Sequence, residues 1–151
     1  MRVPLFLAFV LAACIAFGAC EADNNPANPT PASIPRTLEV LGSQGLVLSN
    51  VVSGDPGCAD QDLARTAVSM MVWGYDQVTP TRIYFYAFRN RATWERLSAS
   101  VDACARSYVT DPAAYGSIQA SPFVLAGPGP WAPTFAARLR AAVTKAAGNG
   151  G

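Results

Sequence analysis

The chain contains no histidine and a single lysine, Lys145. The missing imidazole excludes a Cys–His nucleophile and a Cys/His zinc site. Runs of like charge are missing too: 11 Lys and Arg stand against 10 Asp and Glu, a net charge of +1 over 151 residues. Nucleic-acid binding draws on a clustered basic surface, so it is not expected. The glycines of Gly127-Pro-Gly-Pro130 lack the lysine and the spacing of a phosphate loop. Asp55, Asp60 and Asp62 lack the alternating ligands and terminal glutamate of a calcium loop, and turn and cap roles explain all three. No catalytic residue, no cofactor site and no metal site is expected, and no internal repeat is visible.

Charge is also absent from Val3 to Ala19, which follows Arg2 and precedes Glu21. A basic start, an apolar run and then the small residues Gly18 and Ala19 before Cys20 form the secretory signal pattern. This segment resembles a bacterial lipoprotein signal. The resemblance implies that cleavage leaves a cysteine as the new N-terminus, with a diacylglycerol on its sulfur. Two cysteines compete. Leu11-Ala-Ala-Cys14 matches the family's box better than Phe17-Gly-Ala-Cys20, but only about eight apolar residues would precede the Cys14 box, near the low end for an apolar core. Cysteine parity favours Cys20, with Cys14 as the alternative. If Cys20 is lipidated, Cys14 leaves with the signal, and Cys58 and Cys104 pair with nothing left over. The chain is thus expected outside the cytoplasm, held to a bacterial membrane by its N-terminal lipid. A plain secreted form and an uncleaved N-terminal anchor are the alternatives.

Residues 1–19 then form the signal, and 20–34 the lipidated cysteine and a tether. The tether is rich in Pro, Asn and Ala, with few large apolar side chains to bury. Residues 35–147 form one globular domain, long enough for a modest core. Residues 148–151, Gly-Asn-Gly-Gly, form a flexible tail. In an oxidising compartment an isolated pair such as Cys58 and Cys104 becomes a disulfide. Its loop of about 47 residues corresponds to roughly 4 kcal/mol in the chain-entropy picture.

Residues 35–44 read as a short helix stopped by Gly45, with Leu46 folding back on Leu41. A β-hairpin through Gly42 to Gly45 is the rival reading. Residues 46–52 are β-branched and read as a strand, followed by a turn at Asp55-Pro-Gly57. Asp60 caps a helix expected to run to Trp73 with Asp76 near its polar stripe, although residues 66–73 also suit a strand. Arg82 to Phe88 is a strand apolar on both faces, as central strands are. Asn90 caps a helix over about 91–108, whose inner face is Trp94, Leu97, Val101, Cys104 and Tyr108. Residues 118–126 read as a strand, with Pro122 marking an edge or a bulge. The last helix spans 133–147, with Phe135, Leu139, Val143 and Ala146 inward and Trp131 stapling its start. The expectation is an α+β fold: a small two-layer sandwich of about three strands and three to four helices, in the order α-β-α-β-α-β-α. This order, with its Gly-Pro-Trp break before a final amphipathic helix, resembles small bacterial envelope lipoproteins of unassigned function. That resemblance implies no activity.

Three aromatic groups are candidate binding surfaces. Tyr84, Tyr86 and Phe88 share one strand face and would form a platform if helices cover only the other; otherwise helices or loops bury them. Trp73 is either an exposed contact residue or a helix end tucked under a loop. Trp131 is either presented to a ligand or part of a stiff connector. Glu95 and Asp102 lie seven residues apart on one helix, with arginines four residues from each, and read as solvated carboxylates. The leading expectation is a tethered binding module for an unknown envelope protein or ligand. The alternatives are an envelope hydrolase using carboxylates without histidine, and a passive structural or inhibitory lipoprotein.

Overall fold

The computed structural model describes residues 34–54, 58–107, 111 and 113–148. The expected signal, Cys14, Cys20, most of the tether, the Asp55-Pro-Gly57 turn, Tyr108 and the last three residues lie outside them. The elements are α1 (Ile34–Ser43), β1 (Val47–Ser53), α2 (Gln61–Ala64), β2 (Ala67–Gly74), β3 (Gln77–Ala87), α3 (Arg91–Arg106), β4 (Tyr115–Ala120), β5 (Phe123–Pro128) and α4 (Pro133–Ala147). The five strands make one antiparallel sheet in the order β1-β2-β3-β5-β4. The fold is mixed α+β, as expected, but two further strands appear and the element order changes.

Both extra strands come from period and pairing. The helix from Asp60 stops after one turn. Asp60 does cap it, its Oδ1 accepting from the Asp62 and Leu63 amides at 3.0 and 3.1 Å. Residues 67–74 then pair with β1 and with β3, so the strand reading of 66–73 holds. An apolar run that is broad on a helix is here apolar on both faces of a strand; long-range pairing decides between the two. The single strand expected over 118–126 is a two-residue hairpin. Ala120 pairs with Phe123, and Ser121 and Pro122 form the turn. Proline sits where no ladder hydrogen bond is required of it.

Central β3 decides the layering. Ile83 and Phe85 join a core with Met70, Val72 and Leu125 under α1 and α4, which pack on each other. Tyr84 and Tyr86 point the other way, into a core with Phe88, Val124, Cys58, Leu63, Val101 and Cys104 under α2 and α3. Helices therefore cover both faces, in three layers where two were expected. Each large side chain so buried contributes about 1.5–3 kcal/mol over its exposed state. A strand with large rings on both sides gains from both coverings.

Local signals hold at the helix ends. Gly45, at φ +78°, stops α1; its amide donates to the Gly42 carbonyl at 2.9 Å and the Leu46 amide to Leu41 at 3.4 Å. Asn90 Oδ1 accepts from the Thr93 amide at 2.9 Å and starts α3. Helix α4 has no side-chain cap of its own at Ala132. The β2–β3 turn supplies one from more than fifty residues away. Asp76 accepts from the Thr134 and Phe135 amides, each at 2.8 Å, and Gln77 Oε1 accepts from Ala132 at 3.2 Å. Asp76 is thus a turn residue, not part of a helical stripe. In the same turn, the Tyr75 hydroxyl donates to the Gln44 carbonyl and Arg138 lies over the Tyr75 ring.

Desolvation would raise the Asp76 pKa, but the Thr134 and Phe135 amide donors outweigh it and hold the carboxyl below its usual range. A depressed carboxyl pKa adds stability above the unfolded value, about 3.9, that is lost as pH falls through the folded value. Asp76→Ala should lower Tm at pH 7 by on the order of a few degrees. The gap from wild type should close on acidification below about pH 4. Thermal melts across pH 2–7 test this, and a gap that does not change with pH would count against the cap.

Candidate functional site

Each aromatic candidate is placed by its element. Tyr84, Tyr86 and Phe88 are 8%, 0% and 1% exposed, so they form core under α3 and not an open platform. Trp131 is half-buried: its indole N–H donates to the Pro128 carbonyl at 2.8 Å and its ring meets Phe135 edge-on at 6.5 Å. The ring also lies on Gly116, where a Cβ would come within 2.5 Å of it. Trp131 closes the end of β4 and staples α4, so the connector reading describes it. Trp73 lies on β2, not at a helix end, and is half-buried.

Trp73 belongs to a surface that spacing along the chain did not reveal. On the α3 side of the sheet, α3 lies over β5 and β4. The strip built by β1, β2 and the start of β3 extends beyond it. Val47 pairs with Trp73, Ser49 with Met71, and Met71 in turn with Arg82. Val52 pairs with Ser69 on the same face. Val47 and Val52 are 46% and 54% exposed, Met71 and Trp73 half-buried, and Arg82 exposed, reaching toward the Ser69 hydroxyl at 3.5 Å. The result is a strip of Val47, Val52, Met71 and Trp73 with the small polar residues Ser49 and Ser69 between them and one guanidinium on its margin. Val47 and Met71 were missed because β2 was read as a helix; residues 67–73 are apolar at every position but Ser69, so no alternation marked the face that Met71 and Trp73 share.

Two clefts open elsewhere. One, of about 410 Å³, lies between the first turn of α3 (Arg91, Trp94), the β4–β5 turn (Gln119, Ser121) and the end of α4 (Thr144, Ala147). No carboxylate among the described residues lines it. Arg91 is held by Glu95 at 2.8 Å, and the Trp94 indole donates to the Phe123 carbonyl at 3.2 Å. The Ser121 hydroxyl is buried with no partner among the described residues. The other, of about 280 Å³, adjoins Cys104 and carries one carboxylate, Asp60, already used as the α2 cap. Glu95 and Asp102 have separate partners: Asp102 accepts from the Tyr115 hydroxyl at 2.7 Å. Burial, and then that hydrogen bond to a carboxylate, push the Tyr115 phenol well above its ordinary pKa. Among the described residues no group of three Cys, Asp or Glu could hold a metal ion, and no helix is long and apolar enough to cross a membrane.

Cys58 and Cys104 lie at disulfide distance, their Cα atoms 5.0 Å apart. The bridge ties the segment before α2 to the inner face of α3 and sits inside the second core. No family model, no curated protein and no solved structure matches the chain.

Reduction should raise the intact mass by two hydrogen atoms. The Cys58→Ser/Cys104→Ser variant should lose up to about 4 kcal/mol of stability. Free thiols in protein isolated without reductant would contradict the bridge.

Proposed function

We propose that the chain is an exported, lipid-anchored binding module that meets a partner or ligand of the cell envelope through the open strip of its sheet. The observation that carries this reading is the strip itself. Valine, methionine and tryptophan side chains stand together on a strand pair with no described helix packed over them. Contiguous exposed apolar surface marks interaction sites, and tryptophan is enriched where binding energy concentrates. The hydrolase reading draws no comparable support, because Glu95 and Asp102 are engaged separately and the larger cleft has no carboxylate among the described residues. A passive role suits a sealed surface better than this one.

The anchor rests on the sequence. Gly18 and Ala19 precede Cys20, and the Pro-rich tether follows it. The Cys58–Cys104 pair supports an oxidising compartment and leaves Cys20 unpaired once Cys14 has gone with the signal.

Two measurements test the two halves. A photo-reactive residue at Val47, in intact cells, should give a discrete adduct with a molecule other than this chain. Trp73→Ala with Met71→Ser should abolish that adduct while the circular dichroism spectrum is kept. No adduct, or one indifferent to those substitutions, rejects the surface. Cys20→Ser should release the chain from the membrane fraction or leave its precursor uncut; an unchanged fraction and mass rejects the anchor at Cys20.

A further inference from the structure

Strand β1 is an edge: it pairs with β2 on one side and with no described strand on the other. Edge strands are ordinarily blunted by charge or proline, because their free N–H and C=O groups template further pairing. Strand β1 has neither, and its one irregularity is the bulge between Ser49 and Val52, where Asn50 stands at φ +50°. No ionisable side chain occurs from Gly42 to Gly54. Val47, Val51 and Val52 are 46%, 47% and 54% exposed, three of the five large apolar side chains most exposed among the described residues. The opposite edge, β4, contributes none of the five. Its Gly116 lies under Trp131 and its Ile118 is buried.

We infer that β1 pairs antiparallel with β1 of a second copy, and that this pairing completes the binding surface. This inference rests on the open-strip reading above. Self-pairing about a two-fold axis sets a strand against itself. A charged strand would oppose its own charges there, whereas this uncharged stretch does not. Symmetry also orients the faces. In a continuous antiparallel sheet the two-fold axis runs normal to the sheet, so the same face of each copy looks the same way. The two open strips then adjoin. The floor runs β2-β1-β1-β2, four strands at about 4.8 Å spacing, on the order of 15–20 Å wide. Helix α3 of each copy stands as a wall, and Arg82 of each lies near the margin. In one copy the strip is half a trough, open at the β1 edge. The second copy supplies the other half, with its own Val47, Val52, Met71 and Trp73. The bulge between Ser49 and Val52 interrupts the run of new hydrogen bonds, so the association is weak and reverses on dilution.

Val51 lies outside the Trp73 strip pairs and tests the edge alone. Native mass spectrometry and sedimentation of the full chain, purified as the cell leaves it, should give twice the chain mass at high concentration and the single mass on dilution. Val51→Lys and Val51→Glu should each remain single, and their equimolar mixture should recover the doubled mass. Asn50→Lys and Asn50→Glu, exposed at the middle of β1 where a two-fold axis sets the position against itself, form a second pair should the first fail to fold. A wild-type chain that stays single at every reachable concentration overturns the inference. So does a folded mixture of either pair that fails to associate. A Val47 adduct with a third molecule on a single-mass chain would sink the pairing and keep the binding reading. A two-fold pair with no third-molecule adduct would do the reverse.

Discussion

The structure depends on the two-sided burial of β3. Ile83 and Phe85 on one face, and Tyr84 and Tyr86 on the other, are each at most 8% exposed. A strand with large apolar side chains on both faces cannot sit at the surface of a two-layer sandwich without leaving a row of rings in water. Helices are therefore drawn to both sides, and β5 returns by a tight hairpin to lie between β3 and β4. The disulfide serves the same end, since Cys58 and Cys104 belong to the core that covers Tyr84 and Tyr86.

Covering both faces engages all four helices of the described residues. Helices α1 and α4 pack together over one side. On the other, α2 is a single turn and α3 spans only part of the sheet. The shortfall falls on β1 and β2, which is why Trp73 and Met71 stay partly in contact with solvent. Among the described residues the open strip thus follows from how little helix lies over the second face. The turn between β2 and β3 offsets a different deficiency. Asp76 and Gln77 cap a helix that begins on Ala and Pro, while Tyr75 bonds to the end of α1. One turn thereby fixes the ends of both helices on the well-covered face.

The candidate surface was half legible. Trp73 was singled out from the chain, but its neighbours Val47 and Met71 were not. Val47 is 26 residues from Trp73 and meets it only through strand register, and Met71, two residues before Trp73, shares its face only once 67–74 is a strand. The aromatic row at 84, 86 and 88 was legible as one face of a strand; its covering was not, because nothing local shows where α3 lands. Trp131 was read with Phe135, but its seat on Gly116 depends on β4, an element absent from the expected order.

What the sequence by itself determined is local. The Gly45 stop, the Asn90 and Asp60 caps, the inner faces of α3 and α4, the alternation along β3 and the pairing of the two cysteines all follow from short-range periodicity, capping chemistry and parity. What only the tertiary structure decided is non-local: residues 67–74 as strand, the hairpin at Ser121-Pro122, the third layer, Asp76 as a distant cap and the open strip. The physical reason is shared. An apolar run such as Ala67 to Trp73 satisfies helix and strand alike, and the choice is made by backbone groups that find partners on β1 and β3. Those partners are distant in sequence, and so is the described helix α3, whose landing on β5 and β4 leaves the strip beside it.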